Sequence, residues 1–232
     1  MITDVKHRKI SAGKFRLFLL LAFISCLAPS LAYAACTQCG RSGNSYVAFI
    51  ASLSVPGSLG GISGADAICQ TQAQAAGLQG VYKAWIASSD PGSAPAYRFD
   101  NAGTSLPFYL VTGTKIADDW ADLTDGTIDA ALNRYPDGTT EGSINSVGTN
   151  VNTNGTQYSA SNTCSDWTAS DGSSIRVGNQ GFSNGSWTDG GNSLCWNGQL
   201  MYCFEQTRQD CFNPYGVKGS MIYNDTWQAP QY

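Results

Sequence analysis

Apolar residues along this chain fall into short, nearly continuous runs set between stretches rich in glycine, serine, threonine and asparagine. "YVAFIASLSV", Tyr46 to Val55, is β-branched, aromatic and apolar, bounded by glycine and serine before it and by Pro56-Gly57 after it; it predicts a first strand. "SGADAICQTQAQAAG" follows with helical character. Ser63 is placed as N-cap, Asp66 three residues on completes a capping box, and Gly77 supplies a left-handed stop. Ala65, Ile68, Cys69, Gln72, Ala73 and Ala76 fall near one face of that helix, so Cys69 is expected to point inward. Val81 to Ser88 predicts a second strand, and Phe108 to Asp118 a strand, a tight turn at Gly113 and another strand.

From about Pro136 to Gly190 the pattern changes to a long polar stretch, in which Trp167, Ile175, Phe182 and Trp187 recur as apolar anchors. Regular anchoring favours an ordered, loop-rich layer over a linker. "QLMYCFE" then predicts a short final strand. Few strands and one clear helix predict an α+β domain with small antiparallel sheets, undivided over 45–205.

Composition adds a compartment. Lys6, Arg8, Lys9, Lys14 and Arg16 precede "LFLLLAFISCLAPSLAYA", whose Ala32-Tyr33-Ala34 is an A-x-A cleavage site. That pattern predicts a signal peptide over 1–34 and an exported protein at the cell surface, in the periplasm or outside the cell. The apolar core is too short for a membrane anchor, and the later A-x-A site is preferred to a lipoprotein-like box at Cys26. Cleavage removes five of the 13 basic residues and one of the 17 acidic ones, leaving eight against 16 and a formal charge of −8. Nucleic acid and anionic membranes are poor partners for such a chain. The sole histidine, His7, lies in the leader, which excludes Ser-His-Asp and Cys-His catalysis and histidine-ligated metals from the mature protein.

Seven cysteines remain after cleavage: Cys36, Cys39, Cys69, Cys164, Cys195, Cys203 and Cys211. In an exported protein they read as disulfides with one left over, and spacing alone leaves their pairing open. The Cys36-Cys39 spacing lacks the second pair or following helix that a zinc or redox role needs.

"GSLGGISGADAICQTQAQAAGLQGVYKAWIAS", Gly57 to Ser88, resembles the opening of the endostatin domain of collagens. "CSDWT" (Cys164 to Thr168), Cys195 and "LMYCFE" follow in the matching order. "KIADDWADLTDG" and "GSWTDGGNSLC" are similar to a large family of bacterial secreted proteins related to that domain. The resemblance covers about 45–205, leaving 35–44 as an N-terminal segment and 206–232 as a tail. It implies a C-type-lectin-like fold, with Trp85-Ile86 at that fold's core strand motif and Trp187-Thr188-Asp189 at its W-N-D motif. It also implies two disulfides, Cys69 with Cys203 and Cys164 with Cys195. A bond from Cys39 (or Cys36) to Cys211 would fasten the tails.

Calcium-dependent sugar binders of this fold use an E-P-N or Q-P-D triplet, and neither stands before Cys164 in this sequence. Calcium remains a candidate cofactor in two places. Asp189 is one, and the run Asp118, Asp119, Asp122 and Asp125 is the other, since hard oxygen ligands crowd there; turn and capping roles are the competing reading. Trp187, Asp189, Asn179 and Trp196 are the candidate ligand-binding residues. Tyr135 to Gly138 reads as a plain turn. The basic heparin surface and the histidine zinc site of endostatin do not carry over. The expected function is non-enzymatic recognition of a glycan or cell-surface protein through the loop layer 136–190. A structural or assembly component, forming a disulfide-linked homo-oligomer, is the alternative, with a carboxylate-dependent hydrolase behind it.

Overall fold

The computed structural model describes residues 45–51, 57–143 and 145–207, all within the second of two units, Met1–Ala35 and Cys36–Tyr232. The expected leader, Cys36, Cys39, Cys211 and nearly all of the tail lie outside the described residues. Among the described residues the chain is mixed α+β. Its strands are β1 (Tyr46–Ile50), β2 (Val81–Ala84), β3 (Phe108–Leu110), β4 (Lys115–Ala117), β5 (Ser146–Gly148), β6 (Ser174–Asn179), β7 (Gly191–Leu194) and β8 (Tyr202–Thr207). They form a five-stranded sheet, β2-β8-β1-β3-β4, and a three-stranded sheet, β5-β6-β7.

The larger sheet is covered on both faces, which is why its strands read as unbroken apolar runs. Ala48 and Ile50 of β1 and Tyr202 and Phe204 of β8 face one core, built around Trp85, Phe99, Phe108 and Trp187. Val47 and Phe49 of β1 and Cys203 of β8 face the other, with the helix and Trp167. Trp85 anchors the first core, with ring centroids 5.1 Å from Trp187 and 5.2 Å from Phe204, and its indole N–H donates to Thr188 Oγ1 at 2.8 Å. The sheet is not wholly antiparallel as expected: β1 and β3 pair parallel, Tyr46 opposite Phe108. The connection between them is long, carrying the helix, β2 and short helical turns, so β3 can re-enter the sheet in the direction of β1, which a hairpin cannot do. The three-stranded sheet is antiparallel throughout. β3 and β4 meet at a turn in which Gly113 has φ 88 and donates to Leu110 O at 2.9 Å.

The helix, α1, runs Gly61–Ala75 and buries Ala65, Cys69 and Ala73. These small side chains let it lie close to the sheet. Its start differs from the expected capping box. The N-cap is Gly60, left-handed at φ 81 with no side-chain cap, and Ser63 lies inside the helix. The entry is too tight for side chains: a Cβ on Gly64 would stand 1.9 Å from Leu59 O. Asp66, freed from capping, accepts from Ala84 N at 2.8 Å, and Gln70 one turn later accepts from Tyr82 N at 2.9 Å. Four helical residues rise about 6 Å and two strand residues about 6.6 Å, so one helix face can satisfy alternate N–H groups along the open edge of β2. Asp66 also holds Arg98 at 3.0 Å. The far end stops as expected, at Gly77 with φ 73, where Leu78 N donates to Ala73 O at 2.9 Å.

Two disulfides tie these layers together. Cys69 of α1 bonds Cys203 of β8 across 134 residues, and Cys164 bonds Cys195 across 31. Cys164 opens a turn that has no helical signal in the sequence. Cys164, Ser165, Asp166 and Trp167 are all left-handed, with φ from 51 to 66. Each such non-glycine residue costs about 1–2 kcal/mol, so the turn persists only because its surroundings over-determine it. Trp167 is buried and donates to Ala87 O at 2.9 Å. The Asp166 carboxylate accepts from Ser89 N at 2.6 Å and from Ser89 Oγ at 2.8 Å, and the disulfide fixes the first residue.

Candidate functional site

The candidate ligand residues separate in space. Trp187 is fully buried against Trp85 and Tyr202, so its ring belongs to the core and meets no external ligand. Asn179 ends β6 and accepts from Gly181 N at 3.0 Å, a turn role. Phe182, expected as an anchor of the loop layer, is instead 42% exposed. Asp189 and Trp196 lie on the outer side of β6 and β7, among residues that sequence reading did not select.

On β6, Ile175 and Val177 turn inward while Ser174 and Arg176 face out; on β7, Asn192 and Leu194 are exposed. The register sets Arg176 beside Asn192 and Ser174 beside Leu194. Pairing continues past β7, where Cys195 N donates to Ser173 O at 3.0 Å and Trp196 N to Asp171 O at 3.1 Å. The Trp196 indole then lies on Gly172. A Cβ there would stand 3.2 Å from the six-membered ring, so glycine is what admits the indole this closely. Trp196 remains 58% exposed. The disulfided Cys195 next to it and the Asp171 turn, whose carboxylate accepts from Ser173 N at 2.9 Å, hold it in place.

Arg176 forms the second half of this surface. Its Nε donates to Asp189 Oδ1, Nη1 to Asn192 Oδ1 at 3.2 Å and Nη2 to Asp189 O at 3.4 Å. Its guanidinium carbon lies 4.4 Å from the Tyr158 ring centroid, a cation–π contact that backs a ring 39% exposed. Buried Asn150, left-handed at φ 53, positions Tyr158: its carbonyl accepts from Tyr158 N at 2.9 Å, and its side chain bonds Ser159 O at 2.8 Å and Ala87 O at 3.1 Å. The alternation in "SIRVGN" sets Arg176 outward between two apolar residues and could have pointed to that residue, but not to Tyr158 or Asn192. The partner across the strands needed the register.

The aspartates proposed for calcium are each committed elsewhere. Asp118 pairs with Lys115, which also holds Asp129 at 3.0 Å. Asp119 caps a short helix, α2, spanning Trp120–Leu123, by accepting from Asp122 N at 2.9 Å. Asp122 accepts from Asp118 N at 2.6 Å, and Asp125 from Thr127 N at 2.9 Å. Among the described residues no group of three or more His, Cys, Asp or Glu side chains is arranged to hold a metal ion. Among the described residues these four aspartates do not converge on one point.

Local donors also set the acidity of nearby carboxyls. Ser173 lowers the pKa of Asp171, and Ser89, through its backbone N–H first, lowers that of Asp166. Thr139 lowers Asp137 in the Tyr135–Gly138 turn. Beside it, the Tyr135 hydroxyl donates to Glu141, which lowers Glu141 and raises Tyr135 to about 12. These carboxylates stay ionised in turns, the opposite of the raised pKa a general acid uses. The surface as a whole presents two backed aromatic rings with an internally neutralised guanidinium, an amide and hydroxyls around it, a chemistry of contact and hydrogen bonding. Neither protein-family models nor curated proteins give a match to the chain.

Proposed function

We propose that the chain is an exported, non-enzymatic recognition module of the C-type-lectin-like, endostatin-related kind, binding a glycan or a cell-surface protein through its loop-rich side. The fold assignment is supported by α1 stapled to the last strand, the second disulfide reaching from the loop layer to the segment before that strand, and Trp85 beside Trp187 at the centre of the core. Export is supported by the basic, apolar and A-x-A succession at the start of the chain and by the paired cysteines. Among the described residues no helix is long and apolar enough to cross a membrane.

One observation carries the recognition reading: Trp196 stands 58% exposed while its ring is held against Gly172. An indole costs water contacts when left outside, and one fixed in position offers a large contact area at little further entropy. A glycan array together with an array of extracellular proteins tests the reading. Binding on either without change to the bound molecule is the expected outcome. Turnover that disappears in an Asp→Asn scan would replace recognition by hydrolysis.

A further inference from the structure

The structure places two aromatic platforms on one ribbon face, and their spacing and charge select a ligand class. Trp196 lies on Gly172, and Tyr158 lies on the guanidinium of Arg176. The two supports, Gly172 and Arg176, lie four positions apart along β6 and the bend that leads into it, at most about 13 Å at 3.3 Å per residue. Between them stand Ser174, Asn192 and Leu194, at alternate outward positions of the paired strands. Each ring is backed on one side by this chain and exposed, 39% for Tyr158 and 58% for Trp196.

We infer that this face is a subsite for a linear, uncharged oligosaccharide, with Trp196 and Tyr158 stacking on two of its sugar rings and the polar groups between them meeting its hydroxyls. The inference rests on the recognition reading above and gives it a location and a ligand class. Pyranose rings carry apolar C–H faces and a rim of hydroxyls. Rigid aromatic faces separated by amide and hydroxyl groups complement both. The gap suits a short chain of sugars rather than a single one.

Charge decides against polyanions. Arg176, the one cation on the strip, is already neutralised by Asp189. Asp171 beneath Trp196 is ionised, and the chain as a whole is acidic at −4. Protein partners fit less well, because interface hot spots cluster in a continuous apolar centre, whereas here the two aromatics stand apart with one half-exposed leucine between them.

The test is affinity electrophoresis of the full-length chain in native gels cast with xylan, mixed-linkage β-glucan, galactomannan or dextran, and with alginate as the polyanion. Retardation is expected by at least one neutral polysaccharide and not by alginate, and it persists in EDTA. Trp196→Ala and Tyr158→Ala each weaken it at least tenfold, while Trp196→Phe keeps it within a few-fold. Denaturation midpoints matching the parent's show that the variants are folded. Retardation equal to the parent's in both alanine variants overturns the subsite and leaves glycan recognition standing elsewhere on the molecule. Retardation by alginate alone overturns the uncharged ligand. Absence of retardation in every gel overturns the subsite and removes glycans from the recognition reading.

Discussion

The five-stranded sheet and the β5–β7 ribbon are held by different physics. The sheet is buried on both faces, and its order comes from apolar packing, from α1 bonding the edge of β2 and from a disulfide spanning 134 residues. The ribbon buries only its inner side. Short polar turns, a left-handed turn of four non-glycine residues and a disulfide spanning 31 residues hold it, and its outer face carries exposed aromatics. A region specified by turns and staples can leave large rings in water without losing its shape. The contrast shows where function can be placed: the sheet buries most of its aromatics in the core, and the ribbon and its connections keep three outside, Tyr158, Phe182 and Trp196.

The largest expected effect comes from the staples. By the chain-entropy account, Cys203→Ser lowers unfolding free energy by roughly 5 kcal/mol and Cys164→Ser by roughly 3–4 kcal/mol. Urea midpoints measure both losses, and hydrogen exchange distinguishes where they act. Loss of protection across the whole sheet is expected for Cys203→Ser, and loss first at 163–175 and 191–196 for Cys164→Ser. Identical protection maps would erase the distinction between the two regions.

Next comes the edge of the sheet. Burial lowers the Arg98 pKa while Asp66 opposes that shift; the guanidinium stays charged, and Asp66 offsets part of the cost of burying it. Asp66→Ala also orphans Ala84 N, and about 3 kcal/mol of destabilisation is expected from breaking such a pair. Asp66→Asn keeps an acceptor for Ala84 N and should lose less; equal loss in the two variants would show that the N–H contact contributes nothing.

Acid acts on the ribbon at smaller magnitude. Asp166 and Asp171 bind protons less tightly in the folded chain than in the unfolded one. Their contribution to stability is therefore complete above the ordinary aspartate value of about 3.9 and is lost as pH falls through the lower folded values. Denaturation midpoints measured from pH 6 down to pH 3 should decline, and the decline should be shallower in Asp166→Asn. A midpoint that rises on acidification contradicts this assignment. The smallest effect is expected from Trp196→Ala, within about 0.5 kcal/mol, because an exposed ring adds little to folding.

Much of the sheet could be read in the sequence because its signals are local: an apolar run for β1, Gly113 between β3 and β4, Gly77 ending α1, and Cys69 on the inward face. The start of α1 could not, since Ser63 and Asp66 satisfy the capping rule equally well whether they cap or not. What displaced them was the close approach of Leu59 to Gly64 and the open edge of β2, both tertiary. The outer ribbon surface was half legible. Trp196 and Asp189 could be selected by type, but Arg176 and Tyr158 join them only through strand register and the conformation of Asn150. Trp187 is buried, its ring against Trp85 and its carbonyl accepting from the Tyr202 hydroxyl.

The division of labour between core and ribbon is tested most directly by tryptophan emission during titration with whichever neutral polysaccharide retards the chain. In the parent protein the emission should shift to shorter wavelength as the exposed indole is covered. In Trp196→Phe the shift should vanish while the urea midpoint stays at the parent's value. A shift that survives in Trp196→Phe, or a midpoint that falls with it, would contradict the account.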